Sequence, residues 1–309
     1  DYQASNGTWN FEGKVGEEKE VVVSIIGDYK IEENETFRFQ FNTLANLYNG
    51  ALSIPNNTSI FTIINDDNAQ LNITKQDGAE GGNDGYFTIS FPNNYTSDRP
   101  IQIGYTLNGA QAGDDYTALP GTITLPANTN SINIPIEIID DAKIEGDEFV
   151  TITANIITPI YGITFADNTT TLKITDDDYG TVSINNVTVS EQHSGEHTLS
   201  FDVTLDAETE TTFSVNYHTA DGTATAGEDY EAITSGTIAF SGAKDEVQHI
   251  QVKYYGDKKV EADETFKVIL QSLTKTFGSH LSISTTEHTG TATLENDDTA
   301  VVAVEATDG

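Results

Sequence analysis

The chain has no cysteine and no methionine in 309 residues, and only 14 lysines and arginines stand against 49 aspartates and glutamates. Without cysteine there is no disulfide scaffold and no thiolate metal site. Without methionine, the sequence is expected to be a cut-out or processed piece of something longer. The formal net charge of −35 repels nucleic acid and anionic membranes, so neither is an expected partner. No apolar run approaches the roughly 18 residues of a membrane span, and no segment reads as a signal peptide. Long Gly/Ser or Pro-rich linkers are missing too, which suits a stiff array better than beads on a flexible string. A hydrophobic content of 37% is still enough for the cores of two or three domains.

What the chain does contain is repetition. An acidic stretch occurs three times, as I-I-G-D-Y-K-I-E-E-N-E-T-F from Ile25, I-I-D-D-A-K-I-E-G-D-E-F from Ile138 and Y-Y-G-D-K-K-V-E-A-D-E-T-F from Tyr254. An Asp-Tyr pair recurs at Asp1, Asp115 and Asp229, a spacing of 114 each time, and each is followed by a Gly-Thr strand signal. Acidic closers recur as Asn65 to Asp67, Asp176 to Asp178 and Asn296 to Asp298. Each acidic stretch lies between two alternating strands, so the carboxylates must crowd together at one end of a β domain. Acids a few ångströms apart raise one another's pKa unless a cation sits among them.

Period-2 alternation predicts strands in the third copy at about 181–189, 197–205, 211–218, 234–240, 246–255, 264–271 and 289–295. Ile250, Val252 and Tyr254 alternate with Gln251 and Lys253, and the second copy repeats the pattern with Ile132, Ile134, Ile136 and Ile138. No useful stretch has a helical period. About seven short strands in about 114 residues predict an all-β chain of tandem immunoglobulin-like β-sandwiches. The tyrosine after each repeated aspartate reads as a core or corner anchor. Residues 1–67 are expected to be the C-terminal part of a first domain whose opening strands are missing, with edges around 7–26 and 35–64 unpaired. Residues 68–178 and 179–298 form second and third domains, and 299–309 reads as the opening strand of a fourth, with Glu305-x-x-x-Gly309 matching Glu191-x-x-x-Gly195.

The order V-S-E-x-x-x-G, A-G-x-D-Y, D-x-x-x-E-x-x-E-T-F and a closing D-D resembles the Calx-β domain over nearly the whole chain. That family occurs in the regulatory region of the sodium/calcium exchanger, in integrin β chains and in tandem in large bacterial surface adhesins. The resemblance implies seven-stranded sandwiches with Ca²⁺ held by acidic loops at one tip. By position it places Glu191, Asp229, Asp257, Glu261, Glu264, Asp297 and Asp298 around the metal in the third copy. In the second it places Glu80, Asp115, Asp140, Asp141, Glu145, Glu148, Asp176, Asp177 and Asp178 there. The first retains Asp1, Asp28, Glu32, Glu35, Asp66 and Asp67 but lacks its opening-strand glutamate. Glu80 stands in A-E-G-G rather than V-S-E-x-x-x-G, and the second copy has Asp140-Asp141 where the others have Gly-Asp. Independently of the resemblance, six to eight hard oxygens from several loops suit Ca²⁺ better than the stricter octahedron of Mg²⁺. Asp206, in a turn outside the motifs, reads as a free surface acid.

All six histidines (His193, His197, His218, His249, His280, His288) fall in the third copy, none at a repeated position, and His193 and His197 read as polar surface residues beside a hairpin turn. Paired acids such as Glu261 and Glu264 recur in every copy, which favours a structural role over catalysis; no enzyme is expected. The expected role is a calcium-binding structural segment of an extracellular, bacterial adhesin or surface filament. Its partners would be neighbouring repeats, with any adhesion ligand held by other domains. A Ca²⁺-switched regulatory or ligand-binding module is the alternative.

Overall fold

The computed structural model describes residues 1–44 and 51–305, and the chain is all-β. The first copy contributes β1 (Lys30–Ile31), β2 (Glu35–Gln40) and β3 (Thr58–Ile63). The second contributes β4 (Ala69–Gln76), β5 (Gly78–Ala79), β6 (Gly85–Ser90), β7 (Thr96–Ser97), β8 (Ile101–Gly109), β9 (Thr122–Leu125), β10 (Ser131–Ile136), β11 (Lys143–Ile144), β12 (Glu148–Ile156), β13 (Ile163–Phe165) and β14 (Thr169–Thr175). The third contributes β15 (Gly180–Ile184), β16 (Val187–Ser190), β17 (Gly195–Leu205), β18 (Glu208–Thr209), β19 (Phe213–Asp221), β20 (Gly236–Phe240), β21 (Val247–Gly256), β22 (Glu264–Leu273), β23 (Leu281–Ile283) and β24 (Thr289–Glu295). Among the described residues no helix is long and apolar enough to cross a membrane.

The two complete copies are built alike. Sheets in the order β10-β6-β4-β13 and β5-β14-β12-β8-β9 face each other in the second, and β21-β17-β15-β23 and β16-β24-β22-β19-β20 repeat that order in the third. Alternation explains the core between them. Ile250, Val252 and Tyr254 from β21 meet Phe266, Val268 and Leu270 from β22, all buried, with their odd neighbours turned to solvent.

The predicted strand 181–189 is two strands in different sheets. The break falls at Asn185-Asn186, whose side-chain oxygens accept the N–H groups of Asp202 (2.8 Å) and Thr291 (2.8 Å). These amides replace the ladder while the chain crosses from β17, its antiparallel neighbour, to β24, its parallel one. β23, unforeseen, pairs in parallel with β15 and is too short to show a period. In the first copy, β2 and β3 form a hairpin, but 7–26 carries no strand, only an isolated bridge between Tyr2 and Ile25. Its counterparts β20 and β21 hydrogen-bond to β19 and β17, and among the described residues 7–26 has no strands in the places of those two. Residues 299–305 form no strand, and 306–309, with the end of the expected fourth-copy strand, lie outside the described residues.

The tyrosine anchors are as expected in the complete copies. Tyr116 and Tyr230 are buried, and Tyr230 stacks on Phe266 at 4.1 Å while its hydroxyl donates to Asp221 Oδ1 (2.7 Å). Burial and that neighbouring carboxylate push the phenol up to about 12. Tyr2 keeps the stack, on Phe37 at 4.6 Å, but stays half-exposed.

Successive copies join through their acidic loops. β1 pairs in parallel with β7, and β11 with β18. Ile31, 1% exposed, thereby enters the core of the second copy, and Ile144, 0% exposed, enters that of the third. The fit around Ile144 is close: a Cβ on Gly180 would stand 2.8 Å from its Cδ1. Asp206 belongs here as well, which corrects its reading as a free acid. Its carboxylate accepts Thr181 N–H (2.6 Å) and Thr181 Oγ1–H (2.7 Å), tying the start of β15 to the turn before β18.

Ile144→Ala should therefore destabilise the third copy, although the residue lies in the second. Truncating a fully buried isoleucine costs about 2–5 kcal/mol. Calorimetry should show the third copy's transition moving down by more than the second's; a loss confined to the second would contradict the shared core.

Candidate metal centre

The same backbone contacts bring the acids together in each copy. The carbonyl of Asp1, Asp115 or Asp229 accepts the N–H of Ile26 (2.9 Å), Ile139 (3.0 Å) or Tyr255 (2.9 Å), which sets the repeated aspartate beside the entry to the acidic loop. Inside that loop, Oδ1 of Asp28, Asp141 or Asp257 accepts the N–H two residues on, from Lys30 (2.9 Å), Lys143 (2.8 Å) or Lys259 (2.6 Å). This Asx turn reverses the chain so that the following Glu points back at the aspartate. The lysine folds onto that glutamate in every copy, as Lys30–Glu32 (3.1 Å), Lys143–Glu145 (2.6 Å) and Lys259–Glu261. Across the tip, Glu80 N–H donates to Thr175 O (3.0 Å) and Glu191 N–H to Glu295 O (2.9 Å). Glu80 thus occupies the same place as Glu191 despite its A-E-G-G setting.

Two groupings result. Carboxylate oxygens of Asp115, Glu145 and Glu148 lie within 4.8 Å of one another, and so do those of Asp1, Glu32 and Glu35 at the matching positions of the first copy. Of the third copy's equivalents, Glu264 lies within electrostatic reach of both Asp229 and Glu261. The second grouping joins Glu80, Asp177 and Asp178 within the same distance, and Glu191, Asp257 and Glu261 in the third copy. The remaining expected ligands border these groups. Asp140, Asp141 and Asp176 bear on Asp178, Asp28 and Asp66 on Asp67, and Asp298 on Glu191.

Asp176 has a second task. Its Oδ2 accepts the N–H groups of Gly146 (2.7 Å) and Glu145 (3.1 Å), and its Oδ1 that of Asp178 (2.9 Å). The matching Asn65 and Asn296 instead bridge to Asp67 and Asp298. The extra carboxylate of Asp140 replaces a glycine that the third copy cannot spare, since a Cβ on Gly256 would collide with the Gln192 carbonyl. Gln192 itself sits at φ 76°, a strained left-handed conformation beside Glu191, where the second copy has Gly81 at φ 57°.

The sequence reading missed three participants. His193 Nδ1 lies 2.7 Å from Asp298 Oδ1 and 3.4 Å from Asp297 Oδ1, so this histidine belongs to the tip. His197 does not pair with it; its Nε2 faces Ser194 O at 3.0 Å. Glu210, from the third copy, bears on Glu148 and Lys143 of the second, and His280 Nδ1 lies 2.9 Å from Asp178 O. The two histidines have no counterpart in the other copies, and Glu210, matched by Asp98 at the preceding junction, lies outside the repeated acidic motifs, so spacing gave no signal to find them.

The electrostatics are unfavourable for carboxylates alone. Glu80 and Asp115 are 4% and 5% exposed. Burial first, and Asp176, Glu145 and Asp141 next, raise Glu80 to about 8. Burial and Asp115 raise Glu148 to about 8; burial with Asp257 raises Glu191, and burial with Asp229 raises Glu264, both to about 7. Asp67, Glu145 and Asp178 are pushed up as well, by burial first. Among the described residues, five buried side-chain atoms lack a hydrogen-bond partner, and four are oxygens of Glu80, Glu148, Asp178 and Asp298. Unpartnered buried carboxylate oxygens converging from several loops fit a hard divalent cation, which would satisfy them and cancel the repulsion.

A sequence profile of the Calx-beta domain matches residues 1–68, 96–178 and 175–298. The chain belongs to the Calx-beta family. Among solved structures, the Calx-beta chain resembles the apo form of the Calx CBD1 domain, at 24% identity and TM-score 0.34, covering 39% of this chain and all of that one. It also resembles CBD12 from CALX1.2, at 17% identity and TM-score 0.33, over 72% and 100%. The calcium binding domain CBD12 of CALX1.1 matches at 18% identity and TM-score 0.32, over 72% and 99%. No curated protein matches the sequence.

The raised carboxyl groups give the metal-free Calx-beta chain a definite pH dependence. Their folded pKa values of about 7 to 8 exceed the ordinary value of 4.5, so between those limits the folded state holds more protons than the unfolded one. Their contribution is complete below about pH 4.5 and is lost as pH rises through 7 to 8. In a chelator, melting temperature should fall from pH 5 to pH 8.5, and a bound divalent cation should flatten that fall. A flat profile in the chelator would contradict the crowding.

Proposed function

We propose that this chain is a calcium-binding structural segment of an extracellular adhesin or surface filament, in which Ca²⁺ stabilises each module and stiffens its junctions. Calx-beta domains are calcium-binding β-sandwich modules, and this chain carries three matches in series. The observation that carries the reading is the set of buried, unpartnered carboxylate oxygens of Glu80, Glu148 and Asp178 in the second copy, which gathers around the acidic loop that inserts Ile144 into the third. An ion holding that loop would also hold the joint. In the second copy Glu80, Asp141, Asp177 and Asp178 would take one ion, and Asp115, Glu145 and Glu148 another. The partners are neighbouring modules of the same kind; a ligand for adhesion would be bound elsewhere in the parent protein. The acidic, cysteine-free composition supports an exported protein. A Ca²⁺-switched regulatory module is the second reading, favoured by Glu210 of the third copy standing near the second copy's acids, since occupancy there would alter the angle between modules.

Extracellular Ca²⁺ modules bind at about 10⁻⁴ to 10⁻³ M, and at a hundredfold excess over Kd an ion adds about 2.7 kcal/mol per site. Melting should therefore rise clearly between EDTA and millimolar Ca²⁺; identical curves would sink the proposal. Electron microscopy of the parent separates the two readings, with a long rod supporting the structural one and a compact assembly the regulatory one.

Single substitutions separate ligands from surface acids. Glu264→Gln keeps shape but removes a charged oxygen, so calorimetric titration should show weakened Ca²⁺ binding in the third copy and unchanged binding in the second. Asp245→Asn, in an exposed turn between β20 and β21, should leave both unchanged. Asp206→Asn is unsuitable as the control because that side chain holds Thr181. Equal effects of Glu264→Gln and Asp245→Asn would mean that the acids form only a solvated surface.

A further inference from the structure

Lys259 and Val260 stand where Lys30-Ile31 and Lys143-Ile144 stand in the other copies. All three pairs follow the same Asx turn and precede a glutamate that receives the lysine. Two of the three are two-residue strands paired to the following copy, with their isoleucines fully buried there. The third pair has no ladder, and Val260 is 52% exposed. A large aliphatic side chain that is the most apolar residue of a highly acidic loop, and that faces water here while its two counterparts are buried in a neighbouring module, is an unfilled contact.

We propose that Lys259-Val260 is a docking element that pairs in parallel with the edge of a further Calx-beta module and inserts Val260 into that module's core. The two internal acceptors define the partner's chemistry. Each offers a two-residue strand ending in a buried hydroxyl residue, Ser97 or Thr209. Each then supplies an acidic residue, Asp98 or Glu210, whose N–H donates to the carbonyl of the inserted isoleucine, at 3.2 Å to Ile31 and 3.0 Å to Ile144. That acid's charge also bears on the neighbouring lysine, Lys30 or Lys143. Each acceptor finally has a small residue at the start of its opening strand, Ala69 or Gly180, and at Gly180 the missing side chain leaves room for Ile144. Both acceptor edges among the described residues are filled by Ile31 and Ile144, so the occupant is a further module rather than a second copy of this chain. The inference rests on the tandem-array reading but not on Ca²⁺.

The test appends a second copy of residues 179–298 directly after Asp298 of the full chain, so that Val260 meets the edge that Ile144 meets. Val260→Asp in the 309-residue chain should leave every melting transition in place. In the extended chain the same substitution should lower the added module's transition by about 5 °C or more, because it puts a carboxylate into an apolar core. Equal behaviour of the two chains overturns the proposal, as does an added module that fails to fold behind unaltered Val260. Register is tested in the same cysteine-free background: Lys259→Cys with Glu208→Cys in the added copy should form a disulfide, as Lys143→Cys with the original Glu208→Cys should. Closure of the second pair alone counts against the docking. Scans in EDTA and in Ca²⁺ keep the readings apart, since failure of Ca²⁺ to stabilise the chain refutes the calcium role while leaving the Val260 comparison intact.

Discussion

Everything at the module tips depends on the cost of holding several carboxylates close together away from water. Glu80 and Asp115 are buried, their neighbours carry the same charge, and Lys143, the cation beside them, already faces Glu145. Such a cluster is tolerable only when protonated or when a cation enters it. The β-sandwich supplies the positions, because three loops from different strands meet where the repeated Asp-Tyr bridge clamps the end of one strand beside the start of the next. Local geometry adds to the strain, with Gln192 at a left-handed φ and Gly81 packed where a Cβ would stand 2.5 Å from Asp177 Oδ2.

The placement of the acids was legible in the sequence because each sits at the end of a strand whose alternation is strong, so strand ends and loop acids recur together. The tyrosine anchors were legible for the same reason. The divided opening strand was not read, although its apolar phase slips by one residue, from Val182 and Ile184 to Val187 and Val189, across Asn185-Asn186; a period by itself carries no information about partners. The strands expected in 7–26 failed because a strand needs a neighbour to hydrogen-bond, whatever its pattern. Asp206 misled because hydrogen bonds to Thr181 leave no mark in spacing. The junction isoleucines did leave a mark, a single aliphatic residue at a fixed place in each acidic stretch, but it reads as an ordinary loop residue until the next core is seen around it.

One loop therefore serves two demands. Asp141, Glu145 and Glu148 face the acidic pole, while the backbone of Lys143 and Ile144, between them, pairs with the following module and Ile144 enters its core. Asp176 holds the loop backbone from below through Glu145 and Gly146, and Gly146 passes close to Phe277 of the next copy. A displacement of this loop cannot alter one side without the other. That gives a physical route by which charge at a tip reaches the geometry of a joint, with no separate signalling element.

The inserted isoleucine always comes from the copy that lies earlier in the chain. Ile31 precedes the core it enters, and so does Ile144. During synthesis, which delivers the N-terminal part first, each emerging sandwich would find its last core residue already presented by a folded predecessor. Assembly would then proceed in one direction, with every finished module serving as the template for the one behind it.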